Sequence, residues 1–253
     1  MNELPRPGDA SGAAAHNAYQ LRYYERRPAP AIQPRQTPYV RRHLDELLRA
    51  ASLPRGARVL EVGSGLGRFT RLLRAEGFDV AASDLSATLL SRLRDEVGAG
   101  VTVLEGDVTE LPRRTTERFE GAVGFFVLHH LFDLDQAFAA LARLLRPGAP
   151  VAFCEPNGLN PLFYAQIALT PGMTWRGDGG VRHMRPAVVL PVLRRAGFAH
   201  LRCDRYGFLP PALVGHAAFR AGERALERLR VLAPLRAFQV FSGRRPGPGD
   251  APR

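Results

Sequence analysis

The chain has 253 residues, 35 basic and 24 acidic, for a formal net charge of +11. Hydrophobic residues are 45% and charged residues 23%, a balance that excludes wholesale disorder and fits one large domain with appendages. The chain lacks an apolar run of about 18 residues and a signal-peptide core, and has only two cysteines, Cys154 and Cys203; a transmembrane helix, a disulfide framework and a metal site are not expected, and the cytoplasm is.

Residues 1–15 are rich in Gly, Ala and Pro and are expected to lack regular structure. Tyr39–Ser52 carries Val40, Leu44, Leu47, Leu48 and Ala51 at helical spacing, and Pro54-Arg55-Gly56 breaks it. Arg58–Gly63 reads as a short buried strand and Gly67–Ala75 as a helix ended by Gly77. The unit then repeats. Phe78–Asp84 is a strand, and Ser86–Val97 a helix with Ser86 as N-cap. Val101–Leu104 is a strand ending near Asp107, Glu120–Leu128 an apolar strand and Asp133–Leu145 an amphipathic helix. Pro150–Cys154 is the next strand. Glu61, Asp84 and Asp107 close successive strands 23 residues apart. Strands alternating with helices at that period predict a doubly wound, mostly parallel α/β sheet. Beyond Glu155 come residues 156–185, rich in Pro, Gly, Asn and aromatics. A helix over Pro186–Ala196, a strand over Ala199–Tyr206, a helix over Pro211–Leu232 and a strand over Arg236–Ser242 follow. The tail from Arg244 is again Gly- and Pro-rich.

Every basic residue is arginine, isoleucine occurs twice and asparagine four times. A GC-rich genome would produce that bias without selection, which is the favoured reading; the other is an acidic partner such as nucleic acid or membrane lipid, although the arginines are scattered, with runs no longer than pairs.

The first strand opens into Glu61-Val62-Gly63-Ser64-Gly65-Leu66-Gly67. A dinucleotide fingerprint needs glycine at position 68, which is arginine, and a phosphate-gripping loop needs a lysine, which the chain lacks. The remaining pattern suits a ligand without phosphates. In open parallel sheets ligands bind at the carboxyl ends of strands. There Asp84 is placed to take both hydroxyls of a ribose. Asp107 is placed to accept from an adenine amino group, with Val108 supplying a backbone donor. The competing reading makes Asp84 a cap for the next helix and Asp107 a turn residue.

With these residues the chain resembles a class I S-adenosylmethionine-dependent methyltransferase of the small-molecule type. The resemblance rests on Val59–Gly67, Ala82-Ser83-Asp84-Leu85-Ser86, Glu105-Gly106-Asp107-Val108, Phe126–Leu131 and Leu144–Gly148. It implies a seven-stranded sheet with the last strand antiparallel. It also implies S-adenosylmethionine held by Glu61, Gly63, Ser64, Gly65, Gly67, Asp84, Leu85, Asp107, Val108 and Phe125. Residues 1–36 would form a mobile arm whose Tyr19, Tyr23 and Tyr24 either fold it over the donor or, the favoured reading, simply anchor the tail; 37–243 would form one methyltransferase domain and 244–253 a disordered tail.

Methyl transfer from a sulfonium is an in-line displacement that mainly needs alignment. A hydroxyl or activated carbon acceptor also needs a base. His129 and His130 follow the fourth strand. His129 ranks first, because His130 sits where the family commonly has a structural histidine. Their other reading is a polar plug beneath a helix. Two of the four asparagines fall at 157 and 160, which indicates amide recognition of an acceptor or simple turn chemistry. Tyr19, Tyr23, Asn157, Tyr164 and Trp175 are the candidate acceptor contacts, and 156–185 the candidate lid. The 211–232 helix either packs on its own sheet, the favoured reading, or touches a membrane interface.

The leading function is methyl transfer to an O, N or C atom of a small acceptor such as a secondary metabolite, sugar or lipid-like compound. The alternatives are an RNA methyltransferase and a silent donor-binding partner protein. The strand-end residues Phe125–Leu128 lack the Asn/Asp-Pro-Pro-Tyr/Phe of nucleic-acid amine methyltransferases, which argues against nucleic acid. The oligomeric state is left open.

Overall fold

A computed structural model describes residues 10–26, 33, 35–98, 100–170, 173–208, 217–247 and 249. Helix α1 spans Ala10–Glu25 and α2 Pro38–Ala51. Thr37 caps α2 by accepting the Val40 amide at 3.2 Å, and the chain leaves the helix through Ser52 in a left-handed conformation. Then β1 (Arg58–Val62), α3 (Arg68–Ala75), β2 (Asp79–Asp84), α4 (Ala87–Val97) and β3 (Thr102–Glu105) follow in strict alternation. A short helix α5 (Leu111–Arg114) leads to β4 (Gly121–Phe125) and a 3-10 turn at Leu128–His130. Helix α6 (Leu134–Leu144), capped by Asp133, precedes β5 (Pro150–Pro156). The chain finishes with α7 (Pro161–Leu169), α8 (Trp175–Asp178), a 3-10 turn at Gly179–His183, α9 (Pro186–Arg195), β6 (Ala199–Tyr206), α10 (Ala217–Glu227), a 3-10 turn at Arg230–Leu235 and β7 (Phe238–Arg244).

The seven strands lie in the order β3-β2-β1-β4-β5-β7-β6. Neighbours from β3 to β5 are parallel, while β7 runs antiparallel to both β5 and β6. Alternate side chains of the central strands feed two opposite cores. Val59, Val80 and Val123 pack with Leu44 and Leu47 of α2 and Phe69 and Leu73 of α3. Leu60, Ala81 and Ala122 pack with Phe138 and Leu141 of α6 and Val189 and Leu193 of α9. A near-continuous apolar run in each strand is what burial on both faces demands. The winding reverses between β1 and β4, which places the switch-point crevice at their carboxyl ends.

Three expectations change. The segment 10–15 belongs to α1 rather than lacking regular structure. The strand read as Glu120–Leu128 stops at Phe125, because Phe126 takes a left-handed φ of 56° that no strand accommodates. The helix read as Pro211–Leu232 ends at Glu227 and passes into a 3-10 turn containing Pro234; its first residues, including Ala212, Leu213 and Val214, lie outside the described residues, as do 1–9 and 250–253. Among the described residues no helix is long and apolar enough to cross a membrane.

Candidate active site at the carboxyl edge of the sheet

The glycine loop leaves β1 folded against the end of β2. The amides of Gly63 and Ser64 both donate to the Ser83 carbonyl, at 2.8 and 3.0 Å. Gly63 has a φ of 70°, and a Cβ there would lie 2.4 Å from Val127 Cγ2. Only glycine lets the exits of β1 and β4 approach so closely. Gly65 has a φ of 53° with open space where its Cβ would stand, so its backbone is available to a ligand. Gly67, also left-handed, starts α3.

Asp84 faces this loop. Its Oδ2 accepts the Gly65 amide at 2.8 Å and its Oδ1 the Ser86 amide at 2.9 Å. Burial raises its pKa above the ordinary carboxylate value, against the pull of amides that include Leu85. Ser86 separately caps α4 by accepting the Leu89 amide. Asp84 therefore braces the glycine loop and the turn into α4 from the carboxyl end of β2. Asp107 accepts from the amide and hydroxyl of Thr109, both at 2.8 Å, through one oxygen. Its other oxygen accepts Asn17 Nδ2 of α1 at 2.5 Å. The Val108 side chain is buried in the core. The Phe125 ring stacks on Phe69 of α3, with centroids 3.7 Å apart.

Glu61 is buried and accepts the Thr70 hydroxyl at 2.5 Å. Burial pushes its carboxyl up to about 8, opposed by that hydrogen bond. A carboxyl raised on folding favours the folded state while protonated, so its contribution is lost as pH rises from the ordinary range through about 8. Thermal unfolding should therefore show wild-type protein losing melting temperature between about pH 6 and about pH 9, with Glu61→Gln losing less. Equal losses would place the titrating group elsewhere.

The 3-10 turn after β4 is organised by Glu155 at the end of β5. This buried carboxylate accepts the amides of Val127 and Leu128 at 2.8 and 2.7 Å through Oε1. Its Oε2 accepts His129 Nδ1–H at 2.6 Å. A carboxylate only accepts, so the His129 proton sits on Nδ1 and the Nε2 lone pair stays open. Among the described residues nothing bonds to that Nε2. His130 differs. Its Nδ1–H donates to the Gly177 carbonyl at 3.1 Å, and its Nε2 accepts the Tyr24 hydroxyl at 2.6 Å. Both of its nitrogens bind the arm and the acceptor segment to the turn.

Helix α1 lies across this edge. Besides Asn17 on Asp107, its Glu25 accepts the Ser86 hydroxyl at 2.7 Å. His16 donates to the His130 carbonyl at 2.7 Å, and Tyr23 donates to buried Asp178 at 2.6 Å. Tyr19 meets the Thr174 hydroxyl at 3.3 Å, with Arg176 over its ring. Tyr164 stacks near Trp175, centroids 6.2 Å apart, and donates to the Gly158 carbonyl. Asn157 does not join this group. Its Nδ2 donates to the carbonyls of Pro234 and Arg236, and its Oδ1 accepts the Leu159 amide, which uses its amide to pin β5 to the approach of β7. Asn17, Glu25, Glu155 and Asp178 were not singled out from the sequence. Only Glu155 carried a signal, as a further acid at a strand end.

Residues 35–202 match the family described as a methyltransferase domain. The chain belongs to that family. A malonyl-[acyl-carrier protein] O-methyltransferase of Pseudescherichia vulneris is 35% identical over 66% of this chain and 74% of its own length. A relative of the same name from Salmonella typhimurium is 36% identical, and the match covers 43% of either chain; the chain thus spans under half of that relative. Among solved structures, a SAM-dependent methyltransferase of Thermotoga maritima matches with a TM-score of 0.58 over 82% of this chain and 91% of its own, at 20% identity. That likeness shows the fold.

As a methyltransferase of this family the protein uses S-adenosylmethionine. The crevice fits such a group. Gly65, with open space where a Cβ would stand, the buried Asp84 carboxylate and Asp107 lie along one edge and are the residues that would hold it.

Proposed function

We propose that the protein transfers the methyl group of S-adenosylmethionine to an oxygen or nitrogen of a small or carrier-held acceptor, with His129 taking the proton of a hydroxyl or amine acceptor and aligning an already ionised carboxylate. The donor supplies an already activated methyl group. The observation that carries the reading is the His129–Glu155 pair. Glu155 fixes the imidazole tautomer and leaves Nε2 as the proton acceptor at the exit of β4, where Val127 packs against Gly63 of the donor loop. Asp84 and Asp107 position the donor, with Gly63, Ser64, Gly65 and Gly67 forming the loop. Helix α1 and the segment 156–185 exclude water. The relatives' names specify oxygen and a malonyl group on an acyl-carrier protein, which supports counting a tethered acyl group among the acceptors tested.

The test is transfer of labelled methyl from donor to a panel of hydroxy and carboxy compounds, amines, malonyl-loaded acyl-carrier protein and total RNA. Labelling of small or carrier-bound acceptors supports the reading. Labelling of RNA alone overturns it. Tight donor binding without turnover on any acceptor would make the protein a silent partner.

Acceptor choice is assigned to Tyr164 and Trp175. Trp175 is 58% exposed and stacks only from one side, an arrangement suited to covering an apolar acceptor. Trp175→Ala and Tyr164→Ala should raise acceptor KM or lower kcat about tenfold or more, with donor Kd unchanged. A fall in melting temperature with intact acceptor kinetics would show a purely structural segment.

A further inference from the structure

Among the described residues, large apolar side chains stand in solvent almost wholly on two segments. On the first, Leu162 is 64%, Leu169 81% and Trp175 58% exposed. On the second, Leu229 is 50%, Val231 82% and Leu235 52% exposed. Away from these segments and their immediate neighbours only Val188, at 37%, is comparable. Helix α7 makes the point most sharply. Pro161–Leu169 contains no charged residue, yet only Ile167 is buried. A helix apolar all round is ordinarily interior. The two segments are joined, since Asn157 donates to the carbonyls of Pro234 and Arg236 and Asn160 to that of Leu235.

The charges on the same segments are sorted. Residues 156–185 and 217–236 contain three acids, Asp178, Glu223 and Glu227. All turn inward: Asp178 accepts Tyr23 and the Thr174 amide, and the two glutamates pair with Arg42 of α2. Arg236 donates to the backbone carbonyls of Arg205 and Glu227, while six other arginines turn outward. Arg176, Arg182, Arg185, Arg224, Arg228 and Arg230 are exposed, and none has a carboxylate partner among the described residues.

We propose that this face docks on an anionic lipid surface, apolar tips in the headgroup boundary and arginines against lipid phosphates. Protruding aliphatics spread over two elements and ringed by unpaired cations are the pattern of an interfacial segment. An acidic protein partner would satisfy the arginines but leave the outermost aliphatics, Leu169 and Val231, to find matching pockets. The lipid surface needs no such pockets. The face includes Trp175, with Tyr164 beside it, so docking presents the proposed acceptor side to the membrane. The proposal does not depend on methyl transfer, and its failure leaves the proposed reaction intact.

Co-sedimentation of the full chain with vesicles tests it. Vesicles of phosphatidylcholine containing about a third phosphatidylglycerol should carry the protein down, and pure phosphatidylcholine should not. Arg228→Ser/Arg230→Ser should weaken the partition about 30-fold, from roughly a fivefold factor per arginine. Leu229→Ser/Val231→Ser and, independently, Leu162→Ser/Leu169→Ser should weaken it at least tenfold. Unchanged melting temperature and donor Kd show that each pair is folded. Absence of binding to the anionic vesicles at physiological salt overturns the proposal. So does wild-type binding by both apolar pairs, which would leave net charge as the whole attraction. A dimer that Leu229→Ser/Val231→Ser dissociates without loss of vesicle binding, or a saturable complex with an acidic carrier protein that vesicles do not displace, assigns the face to a protein and overturns it as well.

Discussion

Asp84→Ala is expected to cost about 2–4 kcal/mol of S-adenosylmethionine affinity, read by calorimetry as a roughly 30- to 1,000-fold rise in Kd. The size comes from two losses at one position. The carboxylate offers charge-assisted acceptors to ligand hydroxyls, which are stronger than neutral ones. It also braces the loop, because its oxygens hold the amides of Gly65 and Ser86. Asp84→Asn separates the two. It keeps an acceptor for the Gly65 amide while removing the charge, so it should retain the fold of the loop and lose part of the affinity. Alanine and asparagine variants that both bind like wild type would remove Asp84 from the donor site and leave it a brace alone.

The second large effect concerns the base. His129→Ala should lower kcat about 10²–10⁴-fold with donor Kd nearly unchanged. Glu155→Gln keeps an oxygen for the amides of Val127 and Leu128 but turns its NH2 on His129 Nδ1, which moves the imidazole proton to Nε2 and removes the base. It should lower kcat about as far as His129→Ala does, without moving acceptor KM. Glu155→Ala leaves two buried amides without an acceptor, at about 1–3 kcal/mol each, and should lower the melting temperature as well. His130→Ala serves as the contrast. Its nitrogens hold Tyr24 and Gly177, so its loss should loosen α1 and spare the chemical step. Full turnover in His129→Ala would leave alignment as the whole mechanism.

The sheet was legible because its signals are local. The glycine loop, the N-cap at Ser86 and the acids 23 residues apart each act on the chain within a few residues of themselves. Phe126 was not legible. An apolar run gives no sign that one of its members turns left-handed, and the carboxylate that gathers the following amides lies at Glu155, 28 residues from Val127. Helix α1 was missed for the same kind of reason. Its Gly- and Ala-rich start has nothing to bury, and what seats it is a set of long-range bonds such as Asn17 to Asp107, 90 residues apart. The asparagines at 157 and 160 show the opposite limit. Their enrichment correctly marked a need for amides, but the partners are backbone carbonyls 75 to 79 residues onward, which composition cannot name.

Helix α1 touches Asp107 and Ser86 at one end of the crevice and His130, Thr174 and Asp178 at the other. In the proposed reaction one helix would thus report on two binding events. Thermodynamic linkage then requires reciprocity. Whatever factor a seated acceptor adds to donor affinity through α1, a seated donor must add to acceptor affinity. If donor and acceptor seat as proposed, those bonds would have to break before either product leaves, and departure of the helix would set a floor under the turnover time.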